Sequence, residues 1–124
     1  MLIYAPSFIT PGRMDRLMSQ IDIGPTLLGL LNFSYESKFF GYDMFNLEAG
    51  RERAFVSTYQ TLGYLKGDKL VVLSPQQKTD CYILSGGEQI KTEPDPQLVE
   101  EAVAWYQAAS FAFSHGLMKG GSDY

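Results

Sequence analysis

Few side chains in this sequence have the types and the spacing of a reactive centre. The chain holds one histidine, His115, and one cysteine, Cys81. Metal-assisted chemistry needs several carboxylate or imidazole groups at one point, but the sequence has no His-x-His, no Asp-His pair and no clustered acidic triplet. His115 is explained by a C-terminal helix cap, and Cys81 by a small core residue. We therefore assign no catalytic residue, no substrate-binding residue and no metal ligand.

Three aspartates, Asp15, Asp22 and Asp43, could form paired carboxylates for general acid–base work. A helix cap explains Asp22 more simply, and a turn explains Asp43. The segment "SGGE", residues 85–88, superficially resembles a phosphate-cradling loop, but it lacks the Gly-Lys-Ser/Thr ending and an immediate helix. It predicts a plain turn.

Two arginines, Arg13 and Arg16, follow the apolar run "LIYA", Leu2 to Ala5. If that run is a parallel strand, the loop leaves its carboxyl end, where α/β enzymes place their ligand crevice. The pair could then bind an anionic headgroup. The alternative is two solvated surface charges.

Four aromatic residues near the C-terminus, Trp105, Tyr106, Phe111 and Phe113, could form a platform for stacking sugars. Their helical spacing favours a core role instead. It predicts that Trp105 and Phe113 point into the core and that Tyr106 and Phe111 do so in part.

Size and charge narrow the class of protein. The chain has 124 residues and a net charge of -4, which fits one domain and, with no Lys/Arg cluster, argues against a nucleic-acid partner. No signal peptide or membrane span is visible, so we expect no direct membrane insertion by this chain.

The first half of the chain predicts a strand, a loop and a helix. The run Leu2–Ala5, closed by a proline, is typical of a strand buried on both faces. In "SQIDIGPTLLGLL", Ser19 and Asp22 can each cap a helix, and Pro25 falls in its first turn, where its missing N–H is no loss. This helix should end near Asn32.

The second half predicts an antiparallel meander of three or four strands and a long helix. Gly67-Asp68 is a hairpin signal and residues 75–78 form a second turn. The helix begins with Asp95 as cap and ends near Gly116. The predicted strands are "RAFVSTYQ" (53–60), "LGYLKG" (62–67), "KLVVLS" (69–74) and "DCYILS" (80–85).

Together these elements predict an α+β fold, with the helix packed on the meander. We expect one domain over residues 1–124. Residues 1–50 form its strand-loop-helix unit and linking segment, and residues 51–118 its meander and helix.

Three segments resemble the C-terminal third of the sulfatase and phosphoglycerol transferase families of the alkaline phosphatase superfamily. They are "LIYAP" (2–6), "SQIDIGPTLLGLL" (19–31) and "FFGYDMF" (39–45). Two more, "VSTYQTLGYLKGDKLVVL" and "EEAVAWYQAASF", are similar to the lipoteichoic acid synthase-like branch. The resemblance runs from Leu2 to about Leu117.

The resemblance implies a parent enzyme that cleaves or transfers sulfate or phosphate esters with a Thr, Ser or modified Cys nucleophile. One or two divalent metals (manganese, magnesium or calcium) assist, and the parent is membrane-anchored with its catalytic domain outside the cytoplasm. In that family the nucleophile and the metal ligands lie upstream of the "LIYAP" strand. The resemblance therefore implies that this chain is a structural portion, inactive in isolation and without a cofactor of its own.

Two further expectations concern partners. An unpaired "LIYA" strand would leave apolar surface uncovered, which predicts a homo-oligomer or contact with the remainder of the parent catalytic domain. The alternative function is a stand-alone, non-catalytic binding or interaction module of the bacterial cell envelope.

Overall fold

The computed structural model describes residues 2–119, which form an antiparallel sheet and two α-helices. A short 3-10 turn, Gln20–Asp22, leads into the first helix. The elements are α1 (Ile23–Leu30), β1 (Ala54–Ser57), β2 (Leu62–Lys66), β3 (Lys69–Ser74), β4 (Lys78–Ser85), β5 (Glu88–Thr92) and α2 (Pro96–Ser114). The α+β fold is confirmed.

The sheet is a meander in which the strands lie in sequence order, each antiparallel to the next. The turn at Gly67-Asp68 joins the paired residues Lys66 and Lys69, as predicted. The sheet has five strands, so the prediction of three or four was wrong. The additional strand is β5, which follows the turn predicted at residues 85–88.

The core lies between the sheet and α2. Tyr64, Val71 and Cys81 are opposite one another on neighbouring strands and are buried against Leu98 and Ala102 of α2. Because strand side chains alternate between the two faces, this register places the largest buried side chains of the meander on the side of the helix. Cys81 is a core residue, as its sequence context indicates.

Helix α2 begins and ends as predicted. The Asp95 side chain accepts a hydrogen bond from the Leu98 N–H, and Pro96 occupies the first turn. His115 is the C-terminal cap residue, and Gly116 follows it with a positive φ of 67°, the conformation that glycine adopts most readily.

The buried face of α2 differs from the prediction at Phe113, which is 80% exposed. The buried positions are Leu98, Ala102 and Ala112, and one residue along a helix turns the side chain by about 100°. Placing Phe113 in the core was therefore wrong, and the small side chain of Ala112 takes that place.

The segment Leu2–Ala5 is not a strand. A strand needs a neighbour to accept and donate its ladder hydrogen bonds, and no strand of residues 2–119 lies beside this segment. The N-terminal unit is therefore a loop and a helix, and the strand prediction was wrong for this structure.

Helix α1 is held to the segment that follows it by Thr26. The buried Thr26 hydroxyl donates to the Asp22 carbonyl (2.6 Å) and accepts from the Met44 N–H (3.1 Å). Gly41 packs so closely on the Ile21 carbonyl that a Cβ there would overlap it. Neither helix within residues 2–119 combines the length and the apolar composition needed to cross a membrane.

Candidate functional site

The most buried polar centre is an ion pair between Asp22 and Arg53. Asp22 ends the 3-10 turn before α1, and Arg53 precedes β1. The Arg53 Nη1 donates to Asp22 Oδ1 at 2.9 Å, and the two side chains are 2% and 0% exposed. This pair joins the N-terminal unit to the sheet.

The Asp22 carboxylate is saturated with donors. Its Oδ2 accepts from the Ser19 N–H (2.8 Å), and its Oδ1 accepts from the Tyr42 N–H (2.9 Å) as well as from Arg53. Burial raises the pKa of this carboxyl, but the hydrogen bonds from Ser19, Tyr42 and Arg53 outweigh burial, so the pKa is lowered overall. The Ser19 hydroxyl adds a fourth hydrogen bond, to Oδ2 at 3.2 Å. This ionised carboxylate therefore has a structural role and is not free to act as a base.

Aromatic rings surround the Arg53 guanidinium. Its Nη2 donates to the Phe40 carbonyl at 2.7 Å. Its central carbon lies 4.1 Å from the ring centroid of Tyr42, 5.0 Å from that of Phe55 and 5.1 Å from that of Trp105. Cation–π attraction at such distances stabilises a buried guanidinium. The buried Arg53 Nε has no hydrogen-bond partner among the described residues.

Sequence reasoning does not single out Arg53. It stands two residues before Phe55, and the alternation of an extended segment places the two side chains on the same, core-facing side. That alternation is the one sequence signal that could have found it.

The other two candidate aspartates have local partners of their own. Asp43 accepts from the Phe45 N–H (3.0 Å) and from the Asn46 side-chain amide (2.7 Å). Asp15 is exposed and accepts from Arg13 Nε at 2.6 Å. The structure does not join Asp15, Asp22 and Asp43 into paired carboxylates.

The two arginines of the N-terminal loop are also separate. The Arg16 Nη1 donates to the carbonyls of Met44 (2.6 Å) and Leu47 (3.0 Å), and its Nε lies 3.4 Å from Glu52 Oε1. The Arg13 side chain is exposed. The structure does not bring Arg13 and Arg16 together into one site for an anionic headgroup, because Arg16 is held by main-chain carbonyls and Arg13 pairs with Asp15.

The C-terminal aromatic residues do not form a platform. Trp105 meets Phe40, Tyr42 and Phe55 edge-on at centroid distances of 6.3, 6.0 and 5.6 Å. The Tyr106 hydroxyl donates to the Gly63 carbonyl at 2.8 Å. Trp105 and Tyr106 therefore belong to the packed interior.

The remaining members of this group lie at the end of α2. Phe111 is exposed and stacks on His115 with 4.0 Å between ring centroids. The His115 Nδ1 lies 2.9 Å from the Phe111 carbonyl. His115 thus serves as the helix cap that the sequence indicates.

A charged cleft of about 540 Å³ lies between the N-terminal unit, the β2–β3 hairpin and the start of α2. Two of its lysines form ion pairs with carboxylates within the protein. The Lys66 Nζ lies 2.8 Å from Glu101 Oε1, which also accepts from the Tyr64 hydroxyl at 2.8 Å, and Lys69 Nζ lies 2.9 Å from Asp95 Oδ2. Burial, followed by the bond to Glu101, raises the pKa of Tyr64.

A second, apolar groove of about 760 Å³ lies on the N-terminal unit. We call it the N-terminal groove. Its apolar lining residues are Leu2, Ile3, Ile9, Met14, Met18, Met44 and Phe45. Leu2 stands at this groove with 93% of its surface exposed.

The described residues do not fit a divalent metal. Within residues 2–119, no three His, Cys, Asp or Glu side chains lie close enough together to hold an ion. The carboxylates of Asp22 and Glu101 are paired with the cationic side chains of Arg53 and Lys66.

Comparison with known proteins shows which known structure this fold is similar to. No protein-family model matches the sequence. The chain is similar to the crystal structure of a protein in the alkaline phosphatase superfamily from Vibrio parahaemolyticus, with a TM-score of 0.84 and 30% sequence identity. The match covers 90% of this chain and 28% of that chain. The chain therefore has the fold of one piece of an alkaline phosphatase superfamily protein, which confirms the resemblance at the level of the superfamily.

Proposed function

We propose that this chain is the C-terminal structural portion of a sulfatase-like or phosphoglycerol transferase-like enzyme acting on sulfate or phosphate esters. The observation that carries the proposal is the match to 28% of the Vibrio parahaemolyticus protein over 90% of this chain. In this proposal the remainder of the enzyme supplies the nucleophile and the ligands of a divalent metal (manganese, magnesium or calcium). The chain alone is inactive.

The internal use of its charged side chains supports a structural role. Arg53 ties α1 and the segment near Phe40 to the sheet, and Arg16 ties the N-terminal loop to the carbonyls of Met44 and Leu47. Buried hydrogen-bonded networks of this kind fix the course of loops. The contacts of these two arginines therefore stabilise the arrangement of the loops on the sheet.

Exposed apolar side chains support contact with a larger body. Leu2, Phe8 and Phe45 are exposed, and Leu2 and Phe45 border the N-terminal groove. Large uncovered apolar patches on proteins mark surfaces that another protein or domain covers. The parent, in the same proposal, is membrane-anchored with its catalytic domain outside the cytoplasm.

An activity assay tests the proposal. The purified chain is incubated with p-nitrophenyl phosphate, bis-p-nitrophenyl phosphate and p-nitrophenyl sulfate, each with Mn²⁺, Mg²⁺ or Ca²⁺. We expect release of p-nitrophenol equal to that from a heat-denatured sample. Metal-dependent turnover that copurifies with the folded chain would overturn the structural role.

A domain replacement tests the proposal from the other side. The chain replaces the matching segment of the Vibrio parahaemolyticus protein, and the control is that protein with the segment deleted. We expect the chimera to be soluble, with one cooperative thermal transition, and the deletion to aggregate. A chimera that aggregates as the deletion does would contradict the proposal, and would leave the stand-alone envelope module as the better account.

A further inference from the structure

We propose that the end of α2 and the segment after α1 together form a surface that lies on an anionic lipid bilayer. The contact is made at the level of the lipid headgroups, so neither helix has to cross the membrane. Lipid binding at this surface is independent of the proposed function, and either can fail while the other holds.

The surface consists of large apolar side chains, most of them aromatic. We call it the aromatic patch. Its members are the exposed residues Leu31, Phe33, Tyr35 and Phe39 after α1, and Phe111, Phe113, Leu117 and Met118 at the end of α2. Phe113 is 80% exposed and Leu31 is 65% exposed. A group of large apolar side chains that face water together marks a surface that binds a partner.

Two contacts bring the two halves of the aromatic patch together. The Lys38 Nζ donates to the Lys119 carbonyl at 2.8 Å, across 81 positions of sequence. Phe40, which follows Phe39, packs edge-on against Trp105 with 6.3 Å between ring centroids. The segment after α1 therefore lies along the second half of α2.

The composition of the aromatic patch suits the boundary between headgroups and acyl chains. Aromatic side chains are enriched at that depth, and a lysine there lays its stem on apolar surface while its ammonium group contacts the headgroups. The patch carries two such lysines, Lys38 and Lys119, and Glu36 is the one acidic residue among residues 31–42. A symmetric pair of copies fits less well, because it brings the lysines of both copies into one interface.

The two ends of α2 differ in charge. Five acidic residues line the cleft at its start, namely Asp15, Glu52, Asp68, Asp95 and Glu101, whereas residues 102–119 contain no Asp or Glu. The helix has 19 residues and is about 28 Å long. Surface charges are screened over about 8 Å at physiological salt. A bilayer at the aromatic patch thus meets the two lysines and is screened from the acidic cleft, although the net charge of the chain is -4.

Flotation with phospholipid vesicles tests the proposal. The full chain is mixed with vesicles of equimolar phosphatidylcholine and phosphatidylserine, and separately with vesicles of phosphatidylcholine alone. We expect the chain to float with the anionic vesicles and at least about fivefold less with the neutral ones. A chain that stays in the soluble fraction with both kinds of vesicle overturns the proposal.

A matched set of phenylalanine substitutions locates the contact. The double variant Phe111→Ser, Phe113→Ser removes two rings of the aromatic patch, and Phe8→Ser removes a phenylalanine that is 92% exposed and lies outside it. We expect the double variant to lower the vesicle partition coefficient by at least about tenfold, with an unchanged circular dichroism spectrum, and Phe8→Ser to leave the coefficient unchanged. Equal partition of wild type and double variant overturns the assignment to this patch.

A second set of variants tests the two lysines. The double variant Lys38→Glu, Lys119→Glu reverses both charges of the aromatic patch, and Lys78→Glu reverses a lysine at the β3–β4 turn whose side chain is 69% exposed. We expect the double variant to float with anionic vesicles about fivefold less or weaker still, and Lys78→Glu to float as the wild type does. An equal loss in Lys78→Glu overturns the proposal, because it shows attraction without a defined site.

Two further measurements identify the other possible occupants. Sedimentation velocity without lipid detects a second copy: a mass that doubles with concentration in the wild type and not in Phe111→Ser, Phe113→Ser overturns the lipid contact. Flotation of the chimera detects the remainder of the parent domain, because a patch that it covers no longer responds to the double substitution. That result also overturns the lipid contact, and it leaves the proposed function intact.

Discussion

Arg53 and Asp22 lie 31 positions apart in the sequence and meet across 2.9 Å in the interior. The pair connects the residue before β1 to the residue before α1. Since the carboxylate also holds the N–H groups of Ser19 and Tyr42, one side chain fixes three separate stretches of backbone. The position of the N-terminal unit on the sheet depends on this contact.

Removing the carboxylate should therefore destabilise the fold. In Asp22→Ala the Arg53 charge stays buried with no counter-charge, which costs about 3–5 kcal/mol of the free energy of unfolding. Urea unfolding followed by circular dichroism measures it. The control is Asp15→Ala, which removes an exposed partner of Arg13 and should leave the free energy unchanged within error. Equal stabilities for the two variants would contradict the role of the pair.

The same pair predicts a pH dependence. Burial opposes ionisation of Asp22, yet the bonds from Ser19, Tyr42 and Arg53 lower its pKa below the ordinary 3.8. A carboxyl with a lowered pKa contributes stability that is complete above the unfolded pKa and is lost as the pH falls through the folded pKa. The difference in unfolding free energy between wild type and Asp22→Asn should thus be constant above about pH 5 and shrink toward about pH 3.

Urea titrations of both proteins across that range measure this difference. The half-buried Asp80, whose pKa is lowered mainly by its hydrogen bond from Lys91, titrates in both proteins, so its contribution cancels in the difference. A difference that grows on acidification would contradict the assignment.

Two glycines of α1 should respond oppositely to the same substitution. A Cβ at Gly24 meets Phe39 at 3.9 Å, an ordinary contact, whereas a Cβ at Gly29 would overlap the Asp43 carboxylate. Gly24→Ala should raise the free energy of unfolding by up to about 1 kcal/mol, because alanine favours helix. Gly29→Ala should lower it by about 1–3 kcal/mol. Thermal unfolding of the two variants measures the sign of each change in stability. A higher free energy of unfolding for both variants would contradict the prediction, because it would show that the Asp43 side chain moves aside at little cost.

The orientation of α2 gives another paired prediction. Trp105 packs on three aromatic rings, whereas Phe113 is exposed. Trp105→Ala should cost about 2 kcal/mol or more through lost packing. Phe113→Ala should change the free energy of unfolding by no more than about 0.5 kcal/mol. A large loss of unfolding free energy in Phe113→Ala would support the orientation that the helical spacing predicts, in which Phe113 points into the core.

Local signals in the sequence predict the meander and the ends of α2 well. The turn at Gly67-Asp68 and the cap at Asp95 depend on neighbouring residues, so they can be recognised from short stretches. Strand β5 (Glu88–Thr92) escapes prediction because it is an edge strand with mostly exposed, polar side chains. Its place is set by pairing with β4.

Features that depend on distant partners could not be predicted in the same way. The bond between Arg53 and Asp22 spans two elements that no local pattern connects. The run Leu2–Ala5 has strand composition, but pairing requires a neighbour that residues 2–119 do not provide. The orientation of α2 also depends on what it packs against, since several faces of that helix carry apolar residues.

The sequential order of the sheet has a consequence for how the chain acquires its shape. Each strand pairs only with its neighbours in the sequence, so every pairing closes a short loop at low entropic cost, and such local topologies fold fast. The hairpins can form one after another as the polypeptide leaves the ribosome. Helix α2 follows the sheet in the sequence, so a nascent chain stalled after β5 presents Tyr64 and Val71 to water and to chaperones.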